Sequence, residues 1–163
     1  METTSSSTLP NEHERYVLER NKPLPSFNHG TIQANLICEI GLKYRLKFGL
    51  CAELNLDLSG WKSVPDISIF PKSPMDLRND ETSVKTPPLC VLEILSPTQN
   101  LTELTSKAYG YFQHGVKSCW IVLPMMANIY VYSSPDEYDI FRSTETLVDK
   151  KMDITFPLED VFK

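Results

Sequence analysis

Three side chains carry the chemistry this sequence offers. They are Asp66 directly after Pro65, Glu93 inside the run Pro88-Leu-Cys-Val-Leu-Glu-Ile-Leu-Ser96, and Lys107 in an apolar helical repeat. A carboxylate in an almost wholly apolar strand requires a compensating partner or a metal, because an isolated charge cannot be taken out of water cheaply. Hard divalent cations such as Mg²⁺ prefer oxygen ligands and commonly take one or two carboxylates together with waters and a substrate phosphate. Two acids from separate strands and a cation from a helix therefore suit phosphodiester chemistry, in which a metal polarises the phosphoryl group and a lysine neutralises developing charge.

The elements that must position these groups are read from periodicity. Ile32, Leu36, Ile37 and Ile40 recur at helical spacing, predicting a helix over about residues 30–47 with Asn28 as its cap and Gly41 or Gly49 near its stop. Strands are expected at Cys51 to Leu58, Val64 to Phe70 and Leu89 to Leu95, with a hairpin signal at Ser59-Gly60 and a long polar loop from Pro71 to Pro87. After Ser96-Pro97-Thr98, which can cap the next helix, Leu101, Leu104, Ala108, Tyr111 and Phe112 form one apolar helical face ending near His114-Gly115. Cys119 to Leu123, Ile129 to Tyr132 and an edge segment at Tyr138 to Phe141 read as further strands, and Ile154 to Leu158 as extended chain. Tyr16 to Pro25 reads as short, mixed chain ending in a proline-rich turn. Helix, strands, helix, strands describes a layered α/β domain.

The 163-residue length fits a single domain, taken as residues 16–163 behind a flexible tail over residues 1–15. A hydrophobic fraction of 41% and a charged fraction of 23% match an ordinary globular protein. The formal charge of −5 argues against coating nucleic acid by charge alone and predicts weak, salt-sensitive binding without metal. Cys38, Cys51, Cys90 and Cys119 are far apart in apolar stretches and read as reduced core residues. No run is long enough to span a bilayer, so the expectation is a cytoplasmic protein with no membrane partner.

The joint pattern is more specific than any of its parts. Val64-Pro-Asp-Ile-Ser-Ile69, Leu92-Glu-Ile-Leu-Ser-Pro97, Lys107 with Tyr111, and Gly115-Val116 followed by Cys119-Trp-Ile-Val122 closely resemble a large bacterial family of restriction-endonuclease-like proteins in the PD-(D/E)XK nuclease superfamily. The likeness runs from about His29 to Phe156-Pro-Leu-Glu-Asp-Val-Phe162. It implies a restriction-endonuclease-like mixed β-sheet flanked by helices, Asp66 and Glu93 as metal ligands, and Mg²⁺ as the ion, with Mn²⁺ as a substitute. The superfamily lysine two residues after the acid is replaced here by Leu95, and the family places a lysine on the following helix, which maps to Lys107. Glu103 stands where relatives often carry Asp, and Glu53 is an additional candidate metal ligand. Leu123-Pro124 and the absence of arginines from Pro97 to Ser106 depart from the family pattern.

Each residue also has a plainer reading. Asp66 can be a strand-entry carboxylate, and Lys107 can be the i,i+4 partner of Glu103 on an exposed helix. Tyr111 can simply complete the apolar face, and Trp120 is most simply core. His13, His29 and His114 show no ligand spacing, so zinc is not expected. Lys43, Arg45 and Lys47 suit a helix end better than a phosphate backbone. Two functions are open: a Mg²⁺-dependent DNA endonuclease, for which double-strand cleavage would call on a homodimer, or a non-catalytic module that binds DNA or protein through the same fold. The 71–87 loop should leave the acids open in the first and pack over them in the second.

Overall fold

The computed structural model describes residues 9–20 and 22–163. Residues 1–8, most of the expected tail, lie outside the described residues, whereas residues 12–15 begin helix α1 (Glu12–Arg20). Asn11 and Glu14 exchange side-chain-to-backbone hydrogen bonds of 2.8 and 2.9 Å, a reciprocal cap that satisfies the first amides of this helix. The segment expected to be short, mixed chain is therefore helical up to Arg20.

Helix α2 spans Phe27–Tyr44. It begins three residues earlier than the apolar spacing implies, because Ser26 rather than Asn28 is its cap and accepts the His29 amide at 3.2 Å. Its buried stripe is His29, Ile32, Leu36 and Ile40. Strand β1 (Phe48–Ala52) follows, and the expected strand from Cys51 to Leu58 is broken at Glu53, whose φ of +52° turns the chain. The remainder forms a separate hairpin of β2 (Leu56–Leu58) and β3 (Trp61–Ser63). Ser59 and Gly60 between them have φ of +55° and +88°, the doubly positive geometry that matches a two-residue loop to strand twist.

Strands β4 (Ile67–Pro71), β5 (Cys90–Ile94), β6 (Ser118–Leu123), β7 (Asn128–Ser134) and β8 (Glu137–Arg142) complete a six-stranded sheet of order β1-β4-β5-β6-β7-β8. Within this sheet only the β5–β6 pair is parallel, and helix α3 (Leu101–Gln113) makes its crossover. Strands β9 (Thr146–Asp149) and β10 (Ile154–Pro157) form a third, two-stranded unit, of which only the second half is expected from the sequence as extended chain.

Alternation along the central strands builds two cores. Ile67, Ile69, Cys90, Leu92, Ile94, Trp120 and Val122 face α2 and the β9–β10 hairpin, while Val91, Cys119, Ile121 and Leu123 face α3 and the β2–β3 hairpin. This is the mixed α/β sheet flanked by helices that the family resemblance implies. Of the cysteines, Cys90 and Cys119 are buried as expected, but Cys38 is exposed on α2. No helix among the described residues is long and apolar enough to cross a membrane.

Candidate active site

Strands β4 and β5 are antiparallel, and Ile67 opposite Leu92 is the last pair of their ladder at this end. One step further along the same register brings Asp66 opposite Glu93. Both carboxylates thus lie at one end of the sheet, Glu93 facing α3 and Asp66 within reach of His29 on α2. The ladder ends there for a chemical reason. Pro65 has no amide hydrogen to donate, and the Asp66 side chain itself accepts the Ile94 amide, at 2.6 Å through Oδ2. The Asp66 carbonyl is held by Gln33 Nε2 at 2.8 Å and by the Glu53 amide at 3.1 Å.

Lys107 and Tyr111 are one helical turn apart on α3 and both reach Glu93. Lys107 Nζ lies 3.1 and 3.2 Å from the two carboxylate oxygens, and Tyr111 donates to Oε1 at 2.6 Å. The plainer reading of Lys107 as partner of Glu103 is not what forms. Asn100 caps α3, accepting the Glu103 amide at 2.9 Å and donating to the Glu103 carboxylate at 3.1 Å. Glu103 is therefore a capping residue on the exposed first turn, and Lys107 turns inward. Trp61 packs edge-on against Tyr111 with ring centroids 5.0 Å apart and stacks on His114 at the same separation.

Two further residues meet Asp66 that the sequence pattern does not place at the site. Lys22 Nζ is 2.5 Å from Asp66 Oδ1 and 3.5 Å from Glu53 Oε1. His29 Nε2 is 3.1 Å from the same Asp66 oxygen. His29, one of the histidines without ligand spacing, is buried, and its Nδ1 has no hydrogen-bond partner among the described residues. Of the other histidines, His114 closes α3 through the Gly110 carbonyl at 2.7 Å, and the side chain of His13 lies outside the described residues.

The acids sit deep, with side chains 2% and 3% exposed, whereas Lys107 keeps 25% of its surface in solvent. Their environments drive them apart. Burial pushes the Asp66 carboxyl upward, but the His29 hydrogen bond and the Lys22 charge more than offset it and hold the group below its ordinary range. Burial raises Glu93, and the charge of Asp66 adds to that despite Lys107 and Tyr111. Burial would lower the Lys22 ammonium, yet Asp66, Glu93 and Glu53 together raise it. Two neighbouring carboxyls of opposed tendency are the pattern expected where acids share one site.

Among the described residues, no set of three or more His, Cys, Asp and Glu side chains is arranged to hold a metal ion. The available donors are the oxygens of Asp66 and Glu93, a hard pair that fits an ion of the Mg²⁺ class, which keeps waters for its other positions. Glu53, expected as an additional ligand, lies beside Lys22. The 71–87 loop is exposed through Thr82 and ties to the body where Val84 bridges Leu56. Among the described residues, none of the hydrogen bonds to the two acids comes from that loop.

Comparison with known proteins bears on the family and the fold. A family described as "Putative restriction endonuclease" matches residues 12–156. Among solved structures, "a putative nuclease belonging to DUF820" from Anabaena variabilis ATCC 29413 is similar at 24% identity, with a TM-score of 0.74 over 86% of this chain and 83% of that one, a likeness of fold. No curated protein matches the chain.

Proposed function

This chain belongs to the Uma2 family of the restriction-endonuclease type, and on that premise we propose that it is a divalent-metal-dependent DNA endonuclease that hydrolyses phosphodiester bonds. Asp66 and Glu93 would hold the ion, with Mg²⁺ as the natural choice and Mn²⁺ as a working substitute. One observation carries the reading: two buried carboxylates lie at one sheet end, and Lys107 from α3 stands 3.1 Å from Glu93, where it would take the part of the lysine absent from strand position 95.

The bound ion supplies Lewis-acid polarisation of the phosphoryl group. The chain's own residues do the rest. Asp66 is kept ionised by Lys22, His29 and the Ile94 amide, so it is a ready anionic ligand. Tyr111 and Lys107 fix the rotamer of Glu93. Lys107 is the partly exposed ammonium, able to leave one carboxylate oxygen and stabilise charge that develops on a phosphoryl oxygen. Cleavage of both DNA strands would draw on two copies of the site, and hence on a homodimer assembled on the substrate.

A fold retained only for binding draws its support from the hydrogen bonding of the acids, since each of the four carboxylate oxygens already has a protein donor. Calorimetric titration of Mg²⁺ and Mn²⁺ into wild type, Asp66→Asn and Glu93→Gln, with plasmid and linear DNA cleavage in the same buffers, separates the two. The nuclease reading expects binding and cleavage by wild type and loss of both in each variant, with folding checked by circular dichroism. Full cleavage by either variant overturns it, and absence of both binding and cleavage in wild type favours the binding module.

A further inference from the structure

At the acid end of the sheet the described residues bring together three carboxylates and two ammonium groups, and the way they are shared is uneven. Lys107 pairs with Glu93. Lys22 serves the other two, bridging Asp66 Oδ1 at 2.5 Å and Glu53 Oε1 at 3.5 Å, with its side chain only 8% exposed. Glu53 does not drift into this position. Its φ of +52° turns β1 out of the sheet, and its amide is fastened to the Asp66 carbonyl at 3.1 Å, so its carboxylate is delivered beside that of Asp66 by the backbone itself. A non-glycine residue held in the left-handed region is a local strain that the surrounding structure must sustain.

Phosphodiester-cleaving sites with two divalent ions hold them about 3.5–4 Å apart and need a carboxylate between them, with further acids on either side. As the side chains stand, no three acids among the described residues are arranged around an ion, and what lies between Asp66 and Glu53 is the Lys22 ammonium. An ammonium 2.5 Å from Oδ1 excludes a second cation from that oxygen by volume and by charge. His29 Nε2 lies 3.1 Å from the same oxygen.

We propose that Lys22 is a built-in cation that takes the place of a second divalent ion, limiting this site to one metal and keeping Glu53 out of the ligand set. The inference rests on the reading of Asp66 and Glu93 as metal ligands and deepens it. Lys22 acts through Asp66 and Glu53 and is thus a specificity-determining residue for ion number. It arrives from the segment between α1 and α2, so that segment belongs to the site although it lies outside the central sheet.

The test counts ions instead of cleavage events. Mn²⁺ binding is measured by calorimetry and by electron paramagnetic resonance on wild type, Glu53→Gln, Lys22→Ala and the double variant. Wild type and Glu53→Gln should each bind one Mn²⁺ with affinities within about threefold, since Glu53 is not a ligand. Lys22→Ala should bind two, with the spin–spin coupling of neighbouring ions, and the double variant should return to one because the second seat needs Glu53. Two ions in wild type, or a tenfold or greater loss of affinity in Glu53→Gln, overturns the proposal while leaving Asp66 and Glu93 as ligands. Absence of Mn²⁺ binding in wild type overturns both readings together. The Glu53→Gln arm keeps the proposal falsifiable should Lys22→Ala fail to fold.

Discussion

Tyr111 gives its single phenolic proton to Glu93 Oε1 at 2.6 Å, and so the Ser63 hydroxyl, 2.6 Å from the same phenol oxygen, must be the donor in its own bond with Tyr111. The direction of the whole chain of bonds, from Ser63 through Tyr111 to Glu93, is set by that one proton. It joins the β2–β3 hairpin to the central sheet through α3. The Tyr111 phenol is pushed well above its ordinary range by burial and by the Glu93 charge, so it stays a donor throughout the working pH range.

Replacing Tyr111 by Phe should therefore cost more than an ordinary hydrogen bond. A bond to a charged acceptor contributes about 1.5–3 kcal/mol, and here the Ser63 hydroxyl also loses its acceptor. The expected result is a fall in unfolding free energy of that size at pH 7, read from urea denaturation. The loss should shrink as the pH falls towards Glu93 protonation, because a neutral carboxyl needs the donor less. An unchanged transition midpoint at pH 7 would refute the connection.

The two acids should respond to pH with opposite signs. Glu93 is raised from an ordinary 4.5, so the folded state binds its proton more tightly than the unfolded chain does. Stability from this group is fully present below about pH 4.5 and is lost as pH rises through the folded value. Glu93→Gln, measured with chelator present, should match wild type near pH 4.5 and be the more stable of the two at pH 7 to 8. Asp66 is lowered from 3.8, so its contribution is present above that value and is lost as pH falls through the folded one. Asp66→Asn should be destabilised by about 3–5 kcal/mol at neutral pH, the cost of leaving a buried partner unpaired, with the deficit closing in strong acid.

Whether a site residue can be read from the sequence depends on how local its signal is. Glu93 is legible because an acid interrupts an apolar strand, whereas Lys107 is singled out only by the family resemblance. Lys22 and His29 carry no such mark, since their reason for being where they are is Asp66, 44 and 37 residues away in the chain. The left-handed turn at Glu53 has no composition signal either, so two short strands read as one. Other elements do carry a local signal, though a weaker one than apolar periodicity. Asn11 and Glu14, and again Asn100 and Glu103, have the spacing of a reciprocal helix cap. The first marks the start of α1, and the second explains why Glu103 is not the partner of Lys107.

Gly110 offers a test of how α3 is held over the site. A Cβ built on this residue would come within 2.4 Å of the Trp61 ring, so the indole packs directly on the helix backbone. Glycine in a helix interior costs roughly 0.5–1 kcal/mol relative to alanine, yet Gly110→Ala should destabilise the protein by about 1–3 kcal/mol because the overpacked ring must move. Since Trp61 is packed edge-on to Tyr111, the displacement should reach the Glu93 side chain. Trp61 fluorescence should shift towards solvent-exposed emission, and DNA cleavage should fall with it. A variant as stable as wild type with unchanged emission would show that the ring yields at little cost.

The four thiols report which layer of the sheet opens. Cys38 is exposed, whereas Cys90 and Cys119 are buried with their thiols pushed well above the ordinary 9.0 by burial. At pH 7.5 iodoacetamide should modify Cys38 first, because the thiolate is the reactive form and only this site is open to reagent. Cys51, half-buried and raised by burial, should follow slowly. Cys90 belongs to the core under α2 and Cys119 to the core under α3, so their labelling rates measure the opening of opposite faces. Gly110→Ala and Tyr111→Phe should each accelerate Cys119 labelling, followed by mass spectrometry, and leave Cys90 nearly unchanged. Equal acceleration at both cysteines would mean that the two layers open as one unit, and that α3 is not a separately stabilised cover over the acids.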